Sequence, residues 1–422
     1  MAARGRRPAM IVDGLPGPHR HLTYCTNIHR GETWPAVLEN LRTHVLDVKG
    51  QVSPHHPFGV GLRLSAAAAR GLAEADALVA FQEFLRANDL YVFTINGFPH
   101  GTFSGTVVKE QVYRPDWLED ERVRYSDQLA QLLAALLPPE LEGTVSTVPG
   151  CFLERGTLAS AGAALAANLR RHAVALWRLR ETTGRTVALA LEPEPHCAIE
   201  TTAQAAAFFT QQLWSASSLR AFAGATGVAS PGAAEEILRR HVGVCLDACH
   251  AAVEFEDPTE AVARLTGAGV RILKVQVSAG LRVPSPDAEA LAALARFAED
   301  VYLHQVVIRA GERLSRFVDL PAALAQARAA GTDERAGLGD EWRVHFHVPL
   351  FREQLGRFTN TANFLRPLLA ALARRDDVQQ YEVETYTWDV LPPEYRNEPV
   401  VDAVARELRW TLAALRPEGV RP

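Results

Sequence analysis

The sequence predicts an α/β chain of the TIM-barrel class, a (β/α)8 barrel with a β-hairpin insertion before the last strand. Three observations carry that expectation. Short apolar runs alternate with helix-length amphipathic stretches from His21 to Thr385, and a parallel sheet needs a crossover of that length between neighbouring strands. No Gly-x-Gly-x-x-Gly follows the first run, which sets aside a dinucleotide-binding sheet. The runs also end in polar, ligand-type residues, as strands do when their C-terminal ends meet around one pocket.

Taken in order, residues 1–20 are rich in Gly, Pro and Arg and are expected to form a loose tail before a single domain over 21–422. His21 to Asn27 alternates as a strand, and its two-residue period would put Cys25, Asn27 and His29 on one face. A helix from Thr33 to Lys49 leads to strand Phe58–Leu64, then helix Ala66–Asn88 and strand Tyr91–Asn96. Helix Asp127–Leu137, strand Gly143–Val148, a long helix over about Ala159–Thr183 and strand Val187–Glu192 continue the rhythm. Val242–Asp247 and Arg271–Ser278 are the sixth and seventh strands. After helix Pro286–Glu299 the rhythm breaks into an insertion over about 301–341, with a hairpin turning at Ala310-Gly311-Glu312, and Trp342–Val348 reads as a further strand. Helix Thr361–Arg375, a last strand Tyr381–Thr385 and a C-terminal helix over 399–416, with Pro399 at its first position, complete the chain.

Composition narrows the function. With 422 residues, 48% hydrophobic, 22% charged and a net charge of −5, the chain is a globular protein without the basic stripe that a nucleic-acid binder needs. No apolar run approaches the roughly 18 to 20 residues of a membrane span, and Ala9–Val12 is too short for a signal-peptide core. Cytoplasmic residence is expected. The five cysteines, Cys25, Cys151, Cys197, Cys245 and Cys249, fit free thiols in a reducing compartment, and no spacing suggests a zinc–thiolate site.

If the barrel forms, its strand ends converge: Asn27 and His29, Arg63, Asn96, Glu192 and Glu194, Asp247 with His250, Gln276, His345 or His347, and Glu384. Carboxylates placed so close repel unless a cation lies between them. A single divalent metal ion is the natural partner, and the expected ligands are Glu192, Asp247, Gln276 and Glu384. Such an oxygen-rich set favours Mn²⁺ or Mg²⁺, with Zn²⁺ admitted if a histidine joins.

Val-Cys-Leu-Asp247-Ala-Cys-His250-Ala resembles the sixth-strand motif of the xylose isomerase-like superfamily of sugar isomerases and sugar phosphate epimerases, which also holds the endonuclease IV type of apurinic endonuclease. Leu191-Glu192-Pro193 resembles its fifth-strand glutamate, and Val383-Glu384-Thr385 its last-strand glutamate. More narrowly, the segments Tyr24 to His29, Asn96 to His100, Leu191 to Pro195, Lys274 to Ser278 and Thr385 to Asp389 resemble the sugar-isomerase-like metabolite traffic proteins of the bacterial ebo gene cluster. The resemblance implies a small-molecule substrate or metabolite precursor, partner proteins from the same cluster, and either a metal-assisted isomerase or epimerase or a barrel that escorts the precursor without chemistry. Two departures matter: Gln276 stands where the epimerases carry histidine, and His345-Phe-His347 stands where endonuclease IV carries Asp-x-His.

In an isomerase or epimerase a carboxylate moves the proton alpha to a carbonyl, and the resemblance gives that work to Glu192 and Glu384. Lys274, two residues before Gln276, is a further catalytic candidate if its pKa is depressed, or else a core ion-pair partner of Glu382. Asn27, His29, Arg63, Asn96, His100, Glu194, His250 and His347 are candidates for substrate contacts. The loop Gly97–Trp117 places Phe98, Phe103, Tyr113 and Trp117 over the expected mouth as a lid suited to a ring-bearing or sugar-like ligand.

Overall fold

The computed structural model describes residues 20–103, 105–329 and 338–416. The expected tail therefore lies outside the described residues, apart from Arg20, which is buried. Fourteen strands are described. In chain order they are β1 (His21–Tyr24), β2 (Phe58–Arg63), β3 (Leu90–Asn96), β4 (Gly143–Thr147), β5 (Val187–Leu191), β6 (Val242–Asp247) and β7 (Ile272–Val277). There follow β8 (Leu281–Val283), β9 (Val306–Ala310), β10 (Arg313–Phe317), β11 (Glu341–Val344), β12 (Gln354–Leu355), β13 (Phe358–Asn360) and β14 (Gln380–Val383).

The first seven and the last pair in parallel, in the order β1-β14-β7-β6-β5-β4-β3-β2. Between β1 and β2 the ladder shrinks to one bridge, Cys25 with Gly61, so the barrel is nearly closed. Side-chain hydroxyls stitch that seam. Thr23 Oγ1 donates to Gly59 O at 2.7 Å and accepts from Gly61 N at 3.0 Å, and Arg63 N donates to Thr26 Oγ1 at 2.9 Å. Gly61 has no substitute here, because a Cβ would fall onto Glu382 Oε1 and lie 2.5 Å from the Tyr24 carbonyl.

Helices fill the crossovers and bury apolar faces against the barrel, with Leu129, Leu133, Leu165, Leu169, Leu265 and Leu408 all fully enclosed. The helix expected over Ala66–Asn88 is two helices, Ala66–Ala73 and Ala75–Ala87, because Glu74 is extended (φ −61°, ψ 131°). The C-terminal helix runs Val400–Leu415 with Pro399 as its N-cap, one position earlier than expected. Among the described residues no helix is long and apolar enough to cross a membrane.

The hairpin is present as β9 and β10, antiparallel, but it belongs to a larger body. β8 to β13 form a second antiparallel sheet in the order β10-β9-β11-β8-β13-β12. The run expected as one strand over Trp342–Val348 joins this sheet as β11 and then leaves it. Since β8 begins four residues after β7 ends, this sheet stands at the C-terminal end of the barrel, and Gln305, His345 and His347 at its margins reach the mouth.

The barrel interior is unusually polar. Alternate residues point inward. The lowest layer holds Thr94, Thr144 and Gln380, with the Thr144 hydroxyl 2.6 Å from Gln380 Oε1. Above it Lys274 and Glu382, both fully buried, form an ion pair at 2.6 Å, and Lys274 Nζ also reaches Ser146 Oγ at 3.3 Å. The five cysteines are buried free thiols.

Candidate metal and substrate site

The third inward layer carries the chemistry. Glu192, Asp247 and Glu384 each offer an oxygen within 4.8 Å of the others, and all three side chains are buried. The strand period delivers them: Asp247 ends β6, Glu192 follows β5, and Glu384 follows β14 two residues beyond Glu382.

Asp247 and Glu384 are each held through one oxygen, and Asp247 and Glu192 each keep a buried oxygen without a partner. Asp247 Oδ1 caps the short helix Ala248–Val253 by accepting from His250 N at 2.9 Å, and it accepts from Ser278 Oγ at 2.8 Å. Its Oδ2 is buried without a partner, as is Glu192 Oε2. Glu384 Oε1 accepts amide protons from Asn27 at 2.7 Å and Asn96 at 3.1 Å. Burial first, and then repulsion from the neighbouring carboxylates (Glu384 and then Asp247 for Glu192, Asp247 for Glu384), pushes the Glu192 and Glu384 carboxyls well above their usual range.

Three histidines adjoin these oxygens. His347 Nδ1 donates to the Glu384 carbonyl at 2.8 Å and His250 Nδ1 to the Pro193 carbonyl at 3.0 Å. His345 Nδ1 faces Gln305 Oε1 at 2.8 Å, while the Gln305 amide nitrogen is turned to Tyr113 Oη, Glu194 Oε1 and the Pro195 carbonyl. In all three rings the proton therefore sits on Nδ1 and the Nε2 lone pair is left over. The His250 and His345 Nε2 atoms lie 3.1 Å apart, an approach that calls for a shared proton or a cation. Burial holds His250 at about 3 and His347 at about 4, so both are neutral, the form that binds metals. His347 Nε2 is buried without a partner and falls within 4.8 Å of Asp247 and His250 donor atoms.

The donor set fits a divalent ion. Unpartnered buried oxygens of Glu192 and Asp247 converge with the unpartnered His347 Nε2, while the Nδ1 atoms of the three histidines and the other oxygens of Asp247 and Glu384 are tied down by neighbouring groups, as around metal centres. Glu194 stands beside this set, its Oε1 accepting from Tyr113 Oη at 2.6 Å, and burial pushes its carboxyl up to about 8.

Other expected residues are arranged differently. Gln276 presents its unpartnered Nε2, because its Oε1 accepts from the Cys245 thiol at 3.1 Å. His347 instead places an imidazole beside Asp247. Lys274 does not have a depressed pKa: burial alone lowers it, but the facing Glu382 carboxylate holds it above the usual lysine value. His29 does not share the face of Asn27. Residues Thr26–Ile28 form a 3-10 turn that breaks the strand parity, and His29 bonds Tyr24 Oη at 3.0 Å and stacks on His44. Arg63 is not a free clamp either, since it pairs with Glu32 at 2.6 Å and donates to the Gly31 and Gly101 carbonyls. His100 lies away from the cavity, 3.5 Å from Glu121 and edge-on to Tyr125.

A single cavity over the carboxylates is lined by Asn27, Asn96, Glu192, Glu194, His250 and Glu384 from the expected set. From the loop after β3, Phe98, Phe103 and Tyr113 line it, whereas Trp117 is core, its indole donating to Thr147 Oγ1. His345, Tyr302 and Tyr386 also line it. Of these, Tyr302 and Tyr386 carry no ligand-type signal and are placed only by the insertion and the turn after β14.

No family model matches the chain, and no curated protein matches it. Among solved structures it is similar to an L-ribulose 3-epimerase at 14% identity and a TM-score of 0.46, over 94% of this chain and 95% of that one. It is also similar to the IOLI protein with a bound zinc atom, at 13% identity and a TM-score of 0.44, over 93% and 97% of the two chains. A xylose isomerase domain protein from Alicyclobacillus acidocaldarius subsp. acidocaldarius matches at 14% identity and a TM-score of 0.39, over 93% and 99%. At these values the roles of individual residues rest on the side-chain geometry of this chain.

Proposed function

We propose that this chain is a divalent-metal-dependent isomerase or epimerase of a small hydroxy-carbonyl compound, a protein of the xylose isomerase-like kind. The observation that carries the reading is the buried convergence of Glu192, Asp247 and Glu384 with unpartnered oxygens on two of them. A bound divalent ion would polarise the substrate carbonyl and its neighbouring hydroxyl. Asp247 and His347 would hold the ion together with Glu192 and Glu384, and the imidazole shifts the preference from Mg²⁺ toward Mn²⁺ or Zn²⁺.

The chain's own groups perform the rest. Asn27 and Asn96 fix the Glu384 side chain by donating to one oxygen, which leaves the other to take the proton alpha to the carbonyl. Glu192 returns a proton from across the site. Lys274 keeps Glu382 neutralised beneath this layer and is a positioning residue.

The turned amide of Gln276 favours a second reading, in which a weaker metal site serves a barrel that carries a metabolite precursor to cytoplasmic partner proteins of the same gene cluster. One experiment separates the two. With Mn²⁺, wild-type protein should exchange the alpha hydrogen of dihydroxyacetone or D-fructose with deuterated water. Glu384→Gln should lower that rate by about 10² to 10⁴ while changing ligand affinity much less. If wild-type protein shows no exchange with Mn²⁺, Zn²⁺ or Mg²⁺, the enzyme reading fails and the carrier reading stands.

A further inference from the structure

The floor and the roof of the cavity have opposite character. The floor is the carboxylate and amide layer just described. Phe103, Tyr302 and Tyr386 come from three separate connections and meet above it, with centroids 5.1 Å (Phe103–Tyr302), 5.3 Å (Phe103–Tyr386) and 5.2 Å (Tyr302–Tyr386) apart. Phe98, Val112 and Leu303 extend this apolar wall down toward the floor.

The roof is anchored, not loose. Val108 and Lys109 donate their backbone N–H groups to the Val301 carbonyl at 2.8 and 3.0 Å, with Lys109 in the left-handed region (φ 43°). Phe103 N donates to Glu32 Oε1 at 2.8 Å, and Arg63 holds the other oxygen of Glu32. The aromatic surface is thus fixed in place over the metal-type donors.

Charge decides what fits between them. Lys109 is the one lysine or arginine lining the cavity among the described residues. Its ammonium is fully engaged, 2.9 Å from the Glu299 carbonyl, 2.7 Å from the Tyr302 carbonyl and 2.8 Å from Asp319 Oδ2. The nearby Arg63 is spent on Glu32 and two carbonyls. A phosphate in this cavity would find no arginine or lysine fork and would face Glu192, Glu194 and Glu384 instead.

We infer that the ligand is an unphosphorylated, uncharged compound in which an apolar ring lies under Phe103, Tyr302 and Tyr386 and a hydroxy-carbonyl head reaches the carboxylate floor. This assignment rests on the proposed function for the head and on the roof for the ring. Sugar phosphates are excluded as a class.

Three probes test it on the full-length, Mn²⁺-loaded protein: 2-hydroxyacetophenone, which joins a phenyl ring to a hydroxy-ketone head, dihydroxyacetone, and dihydroxyacetone phosphate. Calorimetry should give at least about tenfold tighter binding for the ring probe than for dihydroxyacetone, and no gain from the phosphate. Phe103→Leu keeps apolar volume and should collapse the ring preference by about fivefold or more, with an unchanged unfolding temperature confirming the fold. Tyr302→Leu repeats the test from the opposite connection. The inference is overturned if the ring probe binds no better than dihydroxyacetone or does not bind at all. Tighter binding of the phosphate overturns it as well. Asp247→Asn addresses the head separately: if it leaves both uncharged probes unaffected while the ring preference persists, the metal-centred reading fails and the aromatic roof stands.

Discussion

Removing the buried ammonium of Lys274 should destabilise the barrel far more than removing the ion pair altogether. The pair is 2.6 Å long and both side chains are fully enclosed. At an effective dielectric constant of about 20 that separation gives roughly 6 kcal/mol of attraction, which the desolvation of two ions largely offsets. The net worth of the pair is therefore near zero, yet Lys274→Met strands a carboxylate in the interior at a cost of about 3 to 5 kcal/mol. With an unfolding entropy of about 2.1 cal/mol/K per residue, a loss of about 4 kcal/mol lowers the melting temperature by roughly 4 to 5 °C. Lys274→Met combined with Glu382→Gln should recover most of that loss. The folded pKa of Lys274 is raised, so its stabilising effect is complete below the unfolded lysine value and falls away only as pH rises through the folded one. The deficit of Lys274→Met should accordingly be flat across neutral pH. Calorimetric melting of the three proteins is the assay. If Lys274→Met melts within about 1 °C of wild type but loses alpha-hydrogen exchange, the structural assignment is refuted and Lys274 belongs to the chemistry.

Three further outcomes follow from the geometry. Asp247→Asn, which can still cap Ala248–Val253, should weaken Mn²⁺ binding by at least about 100-fold in calorimetry without lowering the melting temperature of metal-free protein, since it relieves carboxylate repulsion. Gly61→Ala should destabilise by about 2 kcal/mol or more in denaturant titration, because its methyl would displace Glu382 or the Tyr24 carbonyl. Glu407 is fully buried, and burial pushes its carboxyl up to about 7 although Leu350 N and Thr385 Oγ1 donate to it. A raised carboxyl favours the folded state while protonated, so stability should fall by about 3 kcal/mol as pH rises from 4.5 through 7, and Glu407→Gln should flatten that slope.

What the sequence disclosed follows from periodicity. Parallel strands separated by helices are long-range in space but local in pattern, so the eight barrel strands and the carboxylates at their ends were legible from a two-residue period and a polar terminus. The second sheet was only partly visible, because β8, β12 and β13 are two or three residues long and too short to show alternation. Parity also fails where backbone geometry changes: the 3-10 turn at Thr26–Ile28 sends His29 outward while Asn27 stays in. The expectation for Arg63 missed Glu32, an acidic residue 31 positions earlier that no local pattern ties to it. Of the His345-Phe-His347 pair, both rings enter the site, since each is turned by a tether, Gln305 or the Glu384 carbonyl, that only the assembled mouth supplies. Tyr386 lies in the Thr385–Asp389 segment that carried the resemblance, but nothing in its residue type marked it as part of the site.

The seam between β1 and β2 has a mechanical meaning. Elsewhere around the barrel neighbouring strands share ladders of three to six paired residues, but here one bridge and a few hydroxyl bonds hold the wall, each bond contributing only about 1 kcal/mol. Asn27 lies just past the end of β1, on one lip of this seam, and Asn96 lies beyond β2 on the other, yet both grip the same oxygen of Glu384. The carboxylate is in effect a latch between the two lips. An occupant that drew that oxygen away would loosen the wall at its thinnest point, and amide exchange at Gly61 would register it.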